Sequence, residues 1–164
     1  MGIDLRMMKA EEMDEANIFK IVQGQIGKEY FGDLKNEISG IKTEKIYWIV
    51  VENESGIVGY ASWTKRVDVA YLETIVVKKE KQGYGIGKRL VEKVIDSIRE
   101  EYPEIKVLNV ITDADASSSV GFYLKNGFII SGHVNNEFIL DTPQVHLSRY
   151  IMKWSKNGNF NAWL

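Results

Sequence analysis

Cysteine is absent from this chain of 164 residues, and only two histidines and two prolines occur in it. Without a thiol there is no disulfide framework, no cysteine-based metal site and no cysteine nucleophile. With so few histidines a zinc site is not expected, and neither a Ser-His-Asp nor a Cys-His arrangement stands out. His133 and His146 read as ordinary surface or satisfied histidines. No apolar run is long enough to span a bilayer. The start, MGIDLRMMKAEEM, lacks the apolar core of a signal peptide, and Arg6 stands where a myristoylation signal needs Ser or Thr. Charge of one sign is not in excess either. Lys and Arg number 21 against 23 Asp and Glu, a net charge of −2, so the balance does not suggest nucleic-acid binding. The expectation is a cytoplasmic protein that engages neither membrane nor nucleic acid.

What is present is ordinary for a globular protein: 45% hydrophobic and 27% charged residues. The length suits one domain with a full core. No period of 20–50 residues repeats, and no low-complexity linker divides the chain. Residues 1–153 are expected to form the domain, with 154–164 as a tail or packed arm.

Hydrophobic periodicity gives the order of elements. Ile3 to Met8 reads as a strand and Ala10 to Gln23 as a helix with an acidic first turn. A short second helix is predicted from about Asp33, the candidate cap, to Ile38. Tyr47–Glu52 and Ile57–Lys65 form the clearest hairpin, joined by the turn residues Asn53 to Gly56. Tyr71–Val77 is the next strand. From Gly85 to Glu100 apolar residues recur at Ile86, Leu90, Val91, Val94, Ile95 and Ile98, a helical stripe that stops before Pro103. Then follow a strand over Lys106–Thr112 and a helix over Ser117–Asn126 with Gly127 as its C-terminal glycine. Strands over Phe128–Leu140 and Val145–Lys153 close the domain, broken around Asp141 to Pro143. The order β-α-α-β-β-β-α-β-α-β-β indicates a mixed sheet covered by helices.

The organising stretch is Leu72 to Ile98: an apolar strand, a charged turn, glycines at 83, 85 and 87, then the periodic helix. Glycines let a backbone approach a ligand closely, and the N–H groups of a helix start sit at its positive end. A phosphate or pyrophosphate is the expected guest. Two phosphate patterns fail. Gln82 and Arg89 stand where a P-loop needs Gly and Ser or Thr, and Lys88 stands where the dinucleotide pattern needs its third glycine. Gln82-x-x-Gly85-x-Gly87 after a strand does fit one pattern. It resembles the acetyl-coenzyme A motif of the GNAT superfamily of N-acetyltransferases, Arg/Gln-x-x-Gly-x-Gly/Ala. The stretch Tyr123-Leu124-Lys125-Asn126-Gly127-Phe128 is similar to a second GNAT pattern, A-x-x-x-Y-x-K-x-G-F.

The resemblance implies the fold: an α/β (α+β) GNAT-like mixed, mostly antiparallel twisted sheet of about seven strands, flanked by about four helices. It implies acetyl-coenzyme A as donor, with the amides from Gln82 through Gly83, Tyr84, Gly85, Ile86 and Gly87 to Lys88 facing the pyrophosphate. The acyl-pantetheine arm would lie along Ile75, Val76 and Val77, a form of strand addition in which main-chain amides also meet the thioester oxygen. Tyr123 would protonate the departing thiolate, and Ser119 stands where the family often has Ala near the donor. Ala116 replaces the Asn that usually contacts the arm; Asp115, Ser117 or Ser118 are candidates to take its place. An amine acceptor arrives charged at neutral pH and needs a base. Glu73, on the strand leading to the donor and flanked by Leu72 and Ile75, is the best candidate, where burial would raise its pKa. A solvent-facing carboxylate is the other reading of Glu73, and Asp113 and Asp115 are alternatives.

The implied activity is transfer of an acetyl group to a primary amine: a polyamine, another small amine, a lysine or a peptide N-terminus. Trp48, Trp63, Tyr71, Glu29, Asp33 and Asp68 either line a pocket for that amine or, for the tryptophans, fill the sheet core. The rival is a non-catalytic acyl-coenzyme A sensor. Edge strands near the C-terminus could pair across a homodimer.

Overall fold

The computed structural model describes residues 4–7, 15–22, 31–41, 46–54, 56–135 and 143–151. Within them the elements are β1 (Asp4–Met7), α1 (Glu15–Val22), α2 (Phe31–Ile41), β2 (Ile46–Asn53), β3 (Gly56–Arg66), β4 (Val69–Val77), α3 (Ile86–Glu101), β5 (Val107–Asp113), α4 (Ser117–Lys125), β6 (Ile129–Asn135) and β7 (Pro143–Tyr150). The order of strands and α-helices is the one the sequence pattern predicts. A 3-10 turn at Lys79–Lys81, between β4 and the glycines, is not predicted by it. Asp33 lies inside α2 rather than capping it. Glu29, the predicted extension of β6 to Leu140 and the segment 154–164 fall outside the described residues.

The strands form one sheet in the order β1-β2-β3-β4-β5-β7-β6. Neighbours are antiparallel except β4 and β5. That pair is parallel because α3 returns the chain across the sheet between them. The stripe of α3, from Ile86 to Ile98, is buried against one face together with Ile49, Val51, Trp63 and Leu72. On the other face α1 and α2 contribute Ile18, Ile21, Leu34 and Ile38 to a second cluster with Trp48, Tyr60 and Val76. Trp48 and Trp63 are fully buried on opposite faces. Trp48 stacks on Tyr60 with centroids 4.6 Å apart, and Trp63 on Tyr47 at 4.3 Å. The tryptophans are therefore sheet core, and neither is an acceptor-pocket wall.

Two irregularities position the site. Ser62 pairs with Thr74 and Trp63 with Leu72, so Glu73 has no partner on β3. Such a bulge bends the strand and shifts its pleat by one residue. Ala70 and Leu72 face α3 before the bulge, and Ile75 and Val77 face it afterwards. The second irregularity is the short pairing of β4 with β5, which covers only Val69–Val107, Ala70–Leu108 and Tyr71–Asn109. Beyond Tyr71 the β5-facing edge of β4 has no strand beside it among the described residues. Gly59 permits the tight approach of β3 to β4 here: a Cβ on it would stand 2.7 Å from the Val76 carbonyl oxygen.

Candidate active site

Where β4 leaves β5, a cleft of about 520 Å³ opens between the end of β4, the glycine turn and α4. Ile75 and Val77 supply its strand wall. Gln82 closes the turn beneath them. Its side-chain Nε2 donates to the Val77 carbonyl at 3.0 Å, and its backbone N–H donates to the Lys79 carbonyl at 3.2 Å. Gly83 and Gly85 follow with φ of 81° and 76°, left-handed conformations that favour glycine. The ladder of α3 starts with the Arg89 N–H donating to the Gly85 carbonyl at 3.1 Å. The N–H groups from Gly83 to Lys88 make no hydrogen bond among the described residues. They gather at the positive end of a 16-residue helix. Lys81, Lys88 and Lys125 also line the cleft and add positive charge.

The opposite wall is α4, which begins after Ala116 with no side-chain cap and ends in Asn126 and Gly127, the latter at φ 79°. Ser118, Ser119, Phe122, Tyr123 and Asn126 all reach the cleft. Tyr123 is only 7% exposed. Its ring packs edge-on to Phe122 and Phe128, with centroids 5.3 and 5.4 Å away. Its hydroxyl has no hydrogen-bond partner among the described residues. Burial raises its pKa above the usual tyrosine value, so the phenol keeps its proton.

Most of the donor-site residues expected from the sequence come together here: Ile75, Val77, Gln82, Gly83, Gly85, Ile86, Gly87, Lys88 and Ser119 line the cleft with Tyr123. Three placements add detail to the expected set. The Val76 side chain packs on the far face of the sheet, which leaves only its main chain toward the donor side. Tyr84 is 78% exposed and does not line the cleft. The Gln82 N–H is already engaged by Lys79, so the run of open donors starts at Gly83. Of the candidates to replace the missing Asn, Ser118 lines the cleft, whereas Asp115 and Ser117 do not. Lys81, Phe122, Lys125 and Asn126 are not among the donor-site residues expected from the sequence, although Lys125 and Asn126 belong to the motif that follows Tyr123. A helical reading of α4 contains the signal, because residues 118, 119, 122 and 126 share one face with Tyr123.

Glu73 lies outside that lining, on the bulge. Its surroundings are polar rather than apolar, because alternation after Leu72 points it to the other face, where Thr64 and Arg66 stand. The Thr64 hydroxyl and an Arg66 guanidinium nitrogen both donate to Glu73 Oε1, the latter at 3.1 Å. Thr64 alternates with Trp63, whose side chain faces α3, so this group sits on the sheet face opposite α3. Of the alternative bases, Asp113 accepts a 3.2 Å hydrogen bond from Gln144 and Asp115 is exposed. Neither lines the cleft. Among the described residues no cluster of His, Asp and Glu could hold a metal ion, and no helix is long and apolar enough to cross a membrane.

The family model of the acetyltransferase (GNAT) family matches residues 13–128. The chain belongs to the GNAT family. It is an acyl-coenzyme A-dependent acetyltransferase, with acetyl-coenzyme A as co-substrate. Solved GNAT structures share its fold at low identity. A GNAT-family structure from Desulfovibrio desulfuricans superposes with a TM-score of 0.80 at 13% identity, over 92% of this chain and 100% of that one. The ribosomal-protein-S18-alanine N-acetyltransferase from Escherichia coli gives 0.74 at 16% identity, over 95% and 98%. A GNAT family acetyltransferase from Elizabethkingia anophelis, solved with acetyl-coenzyme A bound, gives 0.71 at 17% identity, over 90% and 97%. No curated protein sequence matches the chain.

Proposed function

We propose that this GNAT protein transfers the acetyl group of acetyl-coenzyme A directly to a primary amine. The observation that carries it is the pairing, across one cleft, of open amide donors at Gly83 to Lys88 with the unpartnered hydroxyl of Tyr123, whose ring is buried. Backbone N–H groups at a helix start suit the donor's pyrophosphate, and Lys81, Lys88 and Lys125 strengthen the same preference for negative charge. The β4 edge past Tyr71 has main-chain groups to offer the pantetheine arm, and Ile75 and Val77 present an apolar wall to it. Ser118 and Ser119 offer hydroxyls from the other side.

In this mechanism an amide near Val76 stabilises charge on the thioester oxygen. Glu73 takes the proton of the attacking amine from the sheet face opposite α3. Tyr123 donates its proton to the sulfur, and the protein needs no metal for either transfer. The solved relatives with coenzyme A or acetyl-coenzyme A bound support the donor site. The N-acetyltransferase from Escherichia coli supports an amine as acceptor.

The test is thiol release from acetyl-coenzyme A against a panel of amines, with donor-induced thermal shift alongside. Turnover of an amine is the expected result. A shift with no turnover of any amine would overturn amine transfer and favour an acyl-coenzyme A sensor; no shift would remove the donor site itself.

A further inference from the structure

At the bulge of β4 a carboxylate stands beside a guanidinium, each with an unused edge. Both hydrogen bonds to Glu73, from Thr64 and from Arg66, end on Oε1. Oε2 has no partner among the described residues. Arg66 meets Glu73 through one terminal nitrogen only. Its Nε and its other terminal nitrogen make no hydrogen bond among the described residues, and the nitrogen bonded to Glu73 keeps a second N–H, which makes up the open edge with one of them. The guanidinium carbon lies 4.5 Å from the centroid of the Tyr71 ring, a cation–π contact that supports the group. The Arg66 side chain is 61% exposed and that of Glu73 26%, so both are reachable from solvent.

Resting on the amine-transfer reading, we propose that Arg66 is a specificity residue and that the acceptor is an α-amino acid with a free carboxylate. Glu73 Oε2 meets the ammonium, and the open edge of Arg66 meets the carboxylate one carbon away. An arginine edge binds a carboxylate through two parallel N–H donors, which gives geometry as well as charge. The alternatives fit less well. A polyamine would bring a second ammonium toward the Arg66 cation, which repels it. A peptide N-terminus has a neutral amide where the carboxylate would be, so Arg66 gains no anion. The reaction forms an amide bond between the amino-acid nitrogen and the acetyl carbon and breaks the C–S bond. Two of the three ammonium protons leave: Glu73 takes one before attack, and the second, shed from the tetrahedral intermediate, replaces the proton that Tyr123 gives to the sulfur as it leaves as a thiol.

The experiment compares free amino acids with the amides of the same amino acids and with a polyamine, read as kcat/KM for thiol release. The expected acid-to-amide ratio is at least about tenfold, the scale of one charge-assisted bidentate contact. Arg66→Gln should bring that ratio down to about one, and Arg66→Lys should restore part of it, with the donor-induced thermal shift retained in both. Amides or the polyamine turning over as well as free amino acids would overturn the proposal and leave amine transfer standing. So would Arg66→Gln lowering all acceptors alike. No turnover of any amine would overturn this proposal and amine transfer together.

Discussion

The side-chain amide of Gln82 donates to the main-chain carbonyl of Val77 at 3.0 Å, which ties the glycine turn to the end of β4. The same bond occupies the last carbonyl of the strand, and the Gln82 backbone N–H is held by the Lys79 carbonyl, so the open amides begin at Gly83. Gln82→Ala should lower stability by about 1 kcal/mol, the usual net value of one hydrogen bond. It should also raise the KM for acetyl-coenzyme A several-fold with a smaller change in kcat. Denaturant unfolding and donor titration check this. An unchanged KM would show that the turn holds its shape without Gln82.

Gly85 and Gly87 stand two residues apart and should respond differently to alanine. Gly85 has φ of 76° and open space where a Cβ would go. Alanine there costs about 1–2 kcal/mol of backbone strain and puts a methyl group beside the open amides. Gly87 has no left-handed φ, but a Cβ on it would stand 3.0 Å from the Phe122 ring. Gly87→Ala must push α4 or its phenylalanine aside. The expected outcome is a weaker donor thermal shift in Gly85→Ala and a changed near-ultraviolet aromatic signal in Gly87→Ala. The reverse pattern would sink the distinction.

Much of this site is legible without coordinates because its parts are local in sequence. The turn from Gln82 to Lys88 and the start of α3 are one contiguous stretch, and the stripe of α3 repeats with a clear helical period. Tyr123 stands out through the residues that follow it, up to Phe128. The environment of Glu73 is not legible in this way. It depends on the β3 residues that the pairing register sets beside it, Thr64 and Arg66, and register leaves no mark in the alternation of one strand alone. Lys81 and Lys125 reach the same cleft from elements 44 positions apart, which only the sheet topology brings together. The tryptophans failed as pocket candidates for a related reason. Trp48 and Trp63 both occupy strand positions, and which face each one covers follows from helices elsewhere in the chain.

Tyr123→Phe should reduce kcat by about 10²-fold with little change in acetyl-coenzyme A affinity, as expected for loss of a general acid. Full activity would remove Tyr123 from the chemistry. The same variant should change the alkaline limb of stability. A tyrosine in the unfolded chain ionises near about pH 10, and burial holds the folded pKa of Tyr123 above that. Above about pH 10 the folded state therefore keeps a proton that the unfolded state loses, and stability falls as pH rises. Below that pH the contribution is constant. Denaturant midpoints measured on either side of this pH should fall more steeply for the native chain than for Tyr123→Phe.

The tip of the β3–β4 hairpin offers a stabilising change. Val67 is β-branched, exposed and at φ 54°, where an L side chain is strained. Asn tolerates that conformation better and suits two-residue hairpin turns. Val67→Asn should gain about 1 kcal/mol, the lower end of the left-handed penalty, and raise Tm by about 2–4 °C in a chain of this size. Calorimetry decides it, and a lower Tm would mean that Val67 makes a compensating contact. Arg66 is the next residue, so a stiffer tip should also leave the guanidinium on Tyr71.

Glu73→Gln tests the base through its dependence on pH. Glutamine keeps an oxygen that can accept from Thr64 and Arg66, so the bulge should hold its shape. What is lost is a proton acceptor for the incoming ammonium. An α-amine has a pKa of about 8 and a lysine amine about 10.4, so below those values the variant must wait for the neutral fraction of its acceptor. At neutral pH its kcat/KM should fall by about 10²-fold, a usual size for general-base catalysis. Its rate should then rise about tenfold per pH unit up to the acceptor pKa, while the native enzyme rises less steeply. The gap between the two should therefore close as pH increases. Profiles from about pH 6.5 to 9.5 span the α-amine transition. A gap that stays constant over that range would show that Glu73 positions the acceptor and takes no proton from it.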